Sequence, residues 1–483
     1  MAISDAQYQA WLSDDEVERL ILAEIKTYSG GAEVTRYVGS DYFHTGASDT
    51  PSNTTYEGVL TGSPSFTSRM SEAFSGRSFV AFGSLSFDNS DGELDGWIED
   101  SFSGREVLIK LGDPSWDIAD FRTVIHGVAD RLIIQSDSEL ELIIRDKQRL
   151  LDGPVQTNLI SSGPNKGKPV PLCYGDCKNV HAVLIDETTH EYQVHEGTIN
   201  AITQVYVNGE PTSLTVTHDP ANGKFTLNSD PKGEVTCDVE GDSTGSYTDN
   251  LSDIIERLVT RVMPSVDATS KANFTTDAPY SAGIYIKDRE NLLDVLDSLI
   301  PGWYYGFNRD GDFIYSLMKE PGTPTAEIDS LETYDQIELV KADVPSWRQR
   351  IGYEKNHTIL NSVDEHVDED YRAYLEEHFK KVETYEDASV KTEHLTAQDP
   401  DVRGTVISNS TDAQTEAQRV QTLYGTQRFL YRVQAFTAPY QITIGDTVTL
   451  SDHRYGLSSG KDCVVVGITE LLLDNKIELE LWR

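Results

Sequence analysis

Basic residues are scarce in this chain, and so are cysteines and long apolar runs. Forty Lys and Arg stand against 80 Asp and Glu, a formal net charge of −40 over 483 residues. Affinity for nucleic acid depends on clustered Lys and Arg at the phosphates. No such cluster occurs, which argues against stable DNA binding while leaving DNA free to pass nearby. The acids are spread over the whole chain, as on a solvated acidic surface. The longest apolar runs, such as Val464-Val465-Val466 and Leu471-Leu472-Leu473, are far too short to span a bilayer. The N-terminus, MAISDAQYQAWLSDDEVERL, lacks a basic region followed by an apolar one, so no signal peptide is expected. A soluble protein made in a cytoplasm, with no stable membrane insertion, is the expectation.

The four cysteines, Cys173, Cys177, Cys237 and Cys463, are too few for a disulfide framework. The run CYGDCKNVH spaces Cys173, Cys177 and His181 four apart, with His190 and His195 downstream, which raises zinc. Structural zinc sites use tight paired spacings. A helix would be needed to align the first three, yet Pro169-Val170-Pro171 opens the segment as extended chain. Solitary thiols in a β region are expected, and a metal or Fe–S site at Cys173 and Cys177 stays open.

What is present can build a core: 38% of residues are apolar, with 23 Tyr, 15 Phe and 6 Trp. A helix is expected over about residues 5–16, followed by the strand RLILAEIKTY. The segments RSFVAFGSLSF, REVLIKLGD, FRTVIHGVADRLII and ELELIIRD read as strands between Gly and Asp punctuation. SSGPNKGKPVPL reads as a linker; only three residues separate Gly163 from Gly167-Lys168, and Pro169 follows, so it is no Walker loop. Residues 170–241 look all-β, with a hairpin turn at Asn208-Gly209. Helices are expected in LSDIIERLVTRVM, capped at Ser252 with Ile255, Leu258, Val259 and Val262 on one face, and in KDRENLLDVLDSLIPGW, which ends at Pro301-Gly302. The hairpin WYYGFNRDGDFIYSLM follows. A further helix is expected over about residues 368–385, with Glu376–Lys380 and Glu377–Lys381 pairs. Its other face, Tyr371, Leu375, His378, Phe379 and Val382, could meet a partner. The final 55 residues return to strands.

One acidic stretch, FDNSDGELDGW, poses a calcium question. In the best register Asp91, Glu93 and Asp95 occupy positions one, three and five and Gly96 position six, but Phe102 stands where a bidentate carboxylate is needed. NRDGD (308–312) fails sooner, at Phe313. The stretch therefore reads as a turn, with Leu94, Trp97 and Ile98 spaced to pack one face. No nucleophile elbow, His-Glu-x-x-His or kinase signature occurs, and His366 and His378 are twelve apart, which suits no helical zinc pair. No enzyme is expected, and no catalytic, cofactor-binding or metal-ligating residue is assigned. No cofactor is expected either.

Two distant segments share a pattern. VLIKLGDPSWDIADFRTVIHGVADRLIIQSDSELELII (107–144) and YQITIGDTVTLSDHRYGLSSGKDCVVVGITELLLDNKIELELW (440–482) each show a strand ending in Gly-Asp, at Gly112-Asp113 and Gly445-Asp446. Each then has a strand with a central Gly, Gly127 or Gly467, and closes on Glu-Leu-Glu-Leu. The expected layout is two related β domains flanking a middle insert, each strand alternating acidic-out and apolar-in.

That layout resembles the hub proteins of phage tails, the family of baseplate hubs and the N-terminal part of siphophage tail-tip attachment proteins. The segments that carry the resemblance are ILAEIKTYSGGAEVTRY, DTPSNTTYEGVLTG, DNSDGELDGWI with FSGREVLIKLGD, GKPVPLCYGDCKNV, and the closing TLYGTQRFLYRVQAFTAPYQITIGDTVTLSDHRYGL. It implies a mainly β, multidomain fold with α+β parts: a first tube-like β-barrel domain over 1–152, a β-rich insert over 153–248, a small α/β domain over 249–330, and a second tube-like barrel over 331–483 with a helical insertion near 368–385. It also implies a homotrimer whose six barrels form a pseudo-sixfold ring at the distal end of the virion tail. That ring would join the hexameric tail tube to a threefold tip and pass genome DNA without stable binding. Distal tail or tail tube proteins, the tape-measure protein, and tip or fibre proteins are the implied partners. Because the chain ends at Arg483, just past the last strand, receptor binding and wall cleavage are expected of separate proteins. The alternative is a receptor- or carbohydrate-binding β protein of the tail tip, with an aromatic cleft at Trp303, Tyr304 and Tyr305.

Overall fold

The structure, a computed structural model, describes residues 3–14, 16–62, 64–70, 80–329, 333, 337–360, 362–436, 442–473 and 476–483. The chain is mainly β, 42% strand and 17% helix, in several sheets and more than one domain. Its largest sheet has 14 strands drawn from both ends of the chain. One half runs Ala32–Gly39, Leu20–Ser29, Glu106–Gly112, Arg122–Ser136, Glu139–Arg145, Val80–Asp88 and Ser65–Arg69. The other half continues through Lys461–Leu471, Lys476–Trp482, Phe429–Ala435 and Glu338–Ala342, and Leu60–Thr61, Thr447–Leu450 and Ala326–Ile328 branch off this path. Of the segment RSFVAFGSLSF, residues 77–79 lie outside the described residues. No closed barrel occurs among the described residues. The sheet stays open, with Ala32–Gly39 and Glu338–Ala342 as its edges.

The Glu-Leu-Glu-Leu strands show why these residues make half-buried sheet. Leu140, Leu142 and Ile144 are buried, as are Ile477, Leu479 and Leu481, while the alternating positions turn outward in 139–145. The central glycines are steric requirements. A Cβ on Gly127 would lie 2.5 Å from the Arg145 carbonyl oxygen, and one on Gly467 would lie 2.9 Å from Glu480 Oε2. Gly467 sits next to a register irregularity in its ladder, where Val466 is skipped. The two Gly-Asp pairs differ. Gly112 ends its strand, but Gly445 lies in a turn before Thr447–Leu450, with φ +94° and the Tyr304 hydroxyl directly against it. Residues 440–441 of that expected strand lie outside the described residues.

Between the two halves lie a five-stranded antiparallel sheet and a four-stranded one. Strand Gly283–Ile286 completes the five-stranded sheet against Leu172–His181, so the sheet crosses the expected 248/249 boundary. The hairpin at Asn208-Gly209 forms as expected, with φ of 52° and 84°. Helix Leu251–Val259 is capped by Asn250 rather than Ser252, and Val262 is 43% exposed beyond its end. Leu292–Asp297 is capped by Asn291, and the hairpin Trp303–Phe307/Phe313–Leu317 follows.

One helical expectation fails, and one helix forms where none was expected. The helix near 368–385 is only Glu369–Leu375, and Lys381–Glu386 is a strand on Arg348–Tyr353. Phe379 accompanies the change: it lies against Gly352 and Gly404, where any Cβ would collide with it. Lys380 pairs with Glu377 and Lys381 with Glu354, in place of the expected pairs. Tyr374 and Leu375 are buried against Leu360 and Val367 of the chain itself. The expected return to strands after residue 428 hides a 15-residue helix just before it, Ser410–Tyr424, capped by Asn409. Buried Glu416 on that helix takes both arms of Arg419, at 2.7 Å each, and a 3.0 Å bond from the Tyr280 hydroxyl. Arg419 also donates to the Pro301 and Met318 carbonyls, tying the helix to the hairpin.

Residues 356–360 and 362–378 dock on the middle sheets through hydrogen bonds of side-chain amides. Asn356 is buried, accepts from Asn179 Nδ2 at 2.7 Å, and donates to the carbonyls of Tyr374 and Leu375. Beside it, His357 stacks edge-on against Tyr285, and burial pushes its imidazole down to about 3.

Two predictions follow from this packing. Gly127→Ala forces a Cβ onto a backbone oxygen and should cost about 1–3 kcal/mol, read from the denaturant midpoint. His357 stays neutral when folded, while the unfolded chain protonates it near 6.5. Between those values the unfolded state binds more protons, so stability should fall as pH drops from 6.5 toward 3, and His357→Phe should flatten that slope in urea titrations.

Candidate functional site

The two ends of the chain meet at one joint. Ser65–Arg69 pairs antiparallel with Lys461–Leu471, with Ser65 opposite Leu471 and Arg69 opposite Gly467. The Thr67 and Thr469 hydroxyls bond across the seam at 2.9 Å. A cavity of about 230 Å³ lies behind it, walled by Phe66, Val124, Ile144, Ile314, Ile444 and Ile468.

The tip of the 303–317 hairpin closes the cavity. Arg309 Nη2 reaches Glu470 Oε1 at 2.7 Å, and Glu470 is 8% exposed. Burial raises the Glu470 carboxyl above its ordinary value, and Arg309 opposes the rise. On the other side Lys26 binds Glu106 at 2.8 Å, Glu106 binds His126 at 2.7 Å, and Lys147 donates to the Gly311 carbonyl at 3.3 Å. Burial lowers the Lys147 ammonium. The joint is an apolar seam with one buried ion pair, built to hold three segments at fixed angles.

The zinc candidates separate. Cys173, Cys177 and Cys237 are free, buried thiols in the core of the five-stranded sheet, and burial raises Cys177 and Cys237 well above an ordinary thiol. His181 Nδ1 faces Glu234 at 3.2 Å, His190 occupies a turn with φ 52°, and His195 Nδ1 takes the Cys173 backbone N–H at 3.0 Å. Among the described residues these side chains form no ligand group; the one grouping of such ligands is Glu210, Asp364 and His366.

The acidic stretch spends its oxygens on its own backbone. Asp88 Oδ1 accepts from Ser90 N and Asp91 Oδ1 from Glu93 N, both at 3.0 Å, and Asp95 Oδ1 accepts from Asn89 Nδ2 at 2.8 Å. Asp100 pairs with Arg36, whose guanidinium lies over Trp97. Leu94 and Trp97 are buried as expected, but Ile98 is 45% exposed because a 3₁₀ turn over Asp95–Glu99 rotates it outward. The aromatic cleft expected of the alternative reading has no wall: Trp303 and Tyr305 are both 0% exposed, inside the largest core cluster.

The free sheet edges are the feature that the sequence did not expose. All five residues of Glu338–Ala342 are exposed, including Leu339 at 52% and Val340 at 39%. Ala32–Gly39 pairs with Leu20–Ser29 and otherwise makes a single bridge, Val38 to Glu57. No helix of the described residues is long and apolar enough to cross a membrane.

No family model and no curated protein matches the chain. Solved structures similar to it include a tail protein from Neisseria meningitidis MC58, 11% identical over 96% of this chain and 97% of that one, with a TM-score of 0.39. Another is the 43 kDa tail protein of prophage MuSo2 from Shewanella oneidensis, 10% identical over 96% and 98%, with a TM-score of 0.41. A chain of a native gene transfer agent virion is 13% identical over 68% of this chain and 87% of that one, with a TM-score of 0.43.

Arg309→Ala strands a buried carboxylate and should cost about 3–5 kcal/mol, while Arg309→Met with Glu470→Leu should cost less; denaturant midpoints compare them. Trp97→Ala should lower the melting temperature, whereas EDTA should leave it unchanged. A drop on chelation alone would make the 88–100 turn a metal site.

Proposed function

We propose that the chain is a structural hub of a bacteriophage tail tip or baseplate, at the distal end of the virion tail and without enzymatic activity. Three copies close head-to-tail into a pseudo-sixfold ring that joins the hexameric tail tube to a threefold tip. The observation that carries this reading is the open sheet, whose end strands Ala32–Gly39 and Glu338–Ala342 keep one side largely unpaired among the described residues. Its two halves share the strand, central glycine, Glu-Leu-Glu-Leu order, so one chain supplies two similar units. A free edge is a liability unless something pairs with it, and a heterologous contact between two different edges builds a ring when the rotation closes. In that ring the tube-like barrels are completed between chains rather than within one.

The charge supports a passage role. Three copies carry three times the −40 of one chain. Acids lining the lumen repel DNA phosphates over about one Debye length, roughly 8 Å at physiological salt. Genome and tape-measure protein then slide without sticking. A neutral or basic lumen would remove this part of the proposal.

Mass measurement of the assembled particle tests the stoichiometry, with three copies at one tail end expected; one or six would contradict it. Leu339→Lys with Val340→Lys should leave the monomer folded and weaken self-association by about tenfold, read by analytical ultracentrifugation.

A further inference from the structure

Two segments far apart in sequence meet at the Asn208-Gly209 turn. The Asp364 N–H donates to the Asn208 carbonyl at 2.9 Å. Gly209 packs so tightly under Leu375, Val363 and Leu360 that a Cβ there would lie 2.5 Å from Leu375 Cδ1. This contact brings Glu210, Asp364 and His366 together. Each offers one ligand atom, and these atoms all lie within 4.8 Å of one another. Glu210 and His366 are exposed, and Asp364 is half-buried.

The imidazole makes this group more than a patch of acids. His366 Nδ1 lies 2.8 Å from Asp364 Oδ1, and the same oxygen accepts the His366 N–H at 2.9 Å, which holds carboxylate and ring face to face. Asp364 by its hydrogen bond, and then Asp364 and Glu210 by their charge, raise the His366 imidazole above its ordinary value. Both carboxylates therefore act on one ring, and the place between them draws positive charge. Arg372 does not fill it. Its guanidinium donates to the Asp364 and Val363 carbonyls, at 2.7 and 3.5 Å, and braces the loop.

We infer that Glu210, Asp364 and His366 bind one divalent transition-metal ion such as zinc, which clips residues 362–378 to the Asn208-Gly209 hairpin. Bonds of about 2.0–2.2 Å set adjacent ligands on a tetrahedral ion about 3.3–3.6 Å apart. The exposed Glu210 and His366 side chains turn to reach that spacing. The ion replaces the hydrogen between His366 Nδ1 and Asp364, and the neutral ring keeps its proton on Nε2. Two carboxylates then balance the charge of the ion, and water fills the remaining position. An imidazole in the set selects zinc-like ions over calcium and magnesium, which favour larger shells of oxygen alone. The inference is independent of the tail reading, since all three ligands lie in one chain.

Calorimetric titration of zinc into the full chain, stripped with EDTA and dialysed into mildly alkaline buffer, tests it. One equivalent should bind with Kd of about 10 μM. At that affinity dialysed protein carries no metal, so a chelator alone leaves its melting temperature unchanged. Glu210→Gln and His366→Ala, both at exposed positions, should each weaken binding at least about tenfold. His453→Ala is the control: that ring also faces an aspartate, Asp452 at 3.5 Å, but belongs to no three-ligand group, and its loss should leave binding alone. Hydrogen exchange reads the clip, because bound zinc should slow the Asp364 amide that holds Asn208. Absence of saturable zinc binding would overturn the inference. So would binding that survives both Glu210→Gln and His366→Ala, displacement of zinc by an equal concentration of calcium, or an Asp364 amide that exchanges equally fast with and without bound zinc.

Discussion

Everything in this fold is hung on five backbone pairings between Ser65–Arg69 and Lys461–Leu471. The strands on either side mix hairpins such as Arg122–Ser136 with Glu139–Arg145 and longer pairings such as Leu20–Ser29 with Glu106–Gly112 and Glu338–Ala342 with Phe429–Ala435, each within one half. The seam alone converts two such units into one 14-stranded sheet. It also fixes where the middle of the chain must sit, because the hairpin tip carrying Arg309 docks on Glu470 of the same seam strand. A single hydroxyl pair and one buried ion pair thus set the angle among three segments far apart in sequence.

The middle of the molecule solves a different problem. Its sheets are small, and they gain bulk from helices contributed by later sequence. The largest core cluster runs from Leu151 to Ala417, mixing side chains of the insert with those of helix Ser410–Tyr424. Arg419 holds this arrangement by satisfying carbonyls at the hairpin while neutralising a fully buried glutamate. Domains assigned along the sequence are therefore interleaved in space.

Period-two alternation made the terminal strands legible, because Leu140/Leu142 and Leu479/Leu481 carry the pattern without interruption. Asn208-Gly209 announced its turn for the same local reason. Helix Ser410–Tyr424 was not legible: its buried face is Ala413, Glu416, Ala417, Val420 and Gln421, a stripe of small and polar residues with little hydrophobic contrast. The helix expected at 368–385 stops short: i,i+4 pairing is worth only tenths of a kcal/mol, too little to decide against the strand pairing of Lys381–Glu386 with Arg348–Tyr353. The seam itself has no local signature at all, since register between strands 400 residues apart is set by tertiary packing.

The seam has a temporal side. Thr67 and Thr469 are 402 residues apart in the chain, and synthesis proceeds at about 5–20 residues per second. The strand Ser65–Arg69 therefore waits on the order of tens of seconds with one side unpaired. A chain cut short anywhere before residue 461 keeps that side open. The strand over 461–471 closes a sheet whose first strands are made hundreds of residues earlier, so the sheet is finished only once those residues have been synthesised.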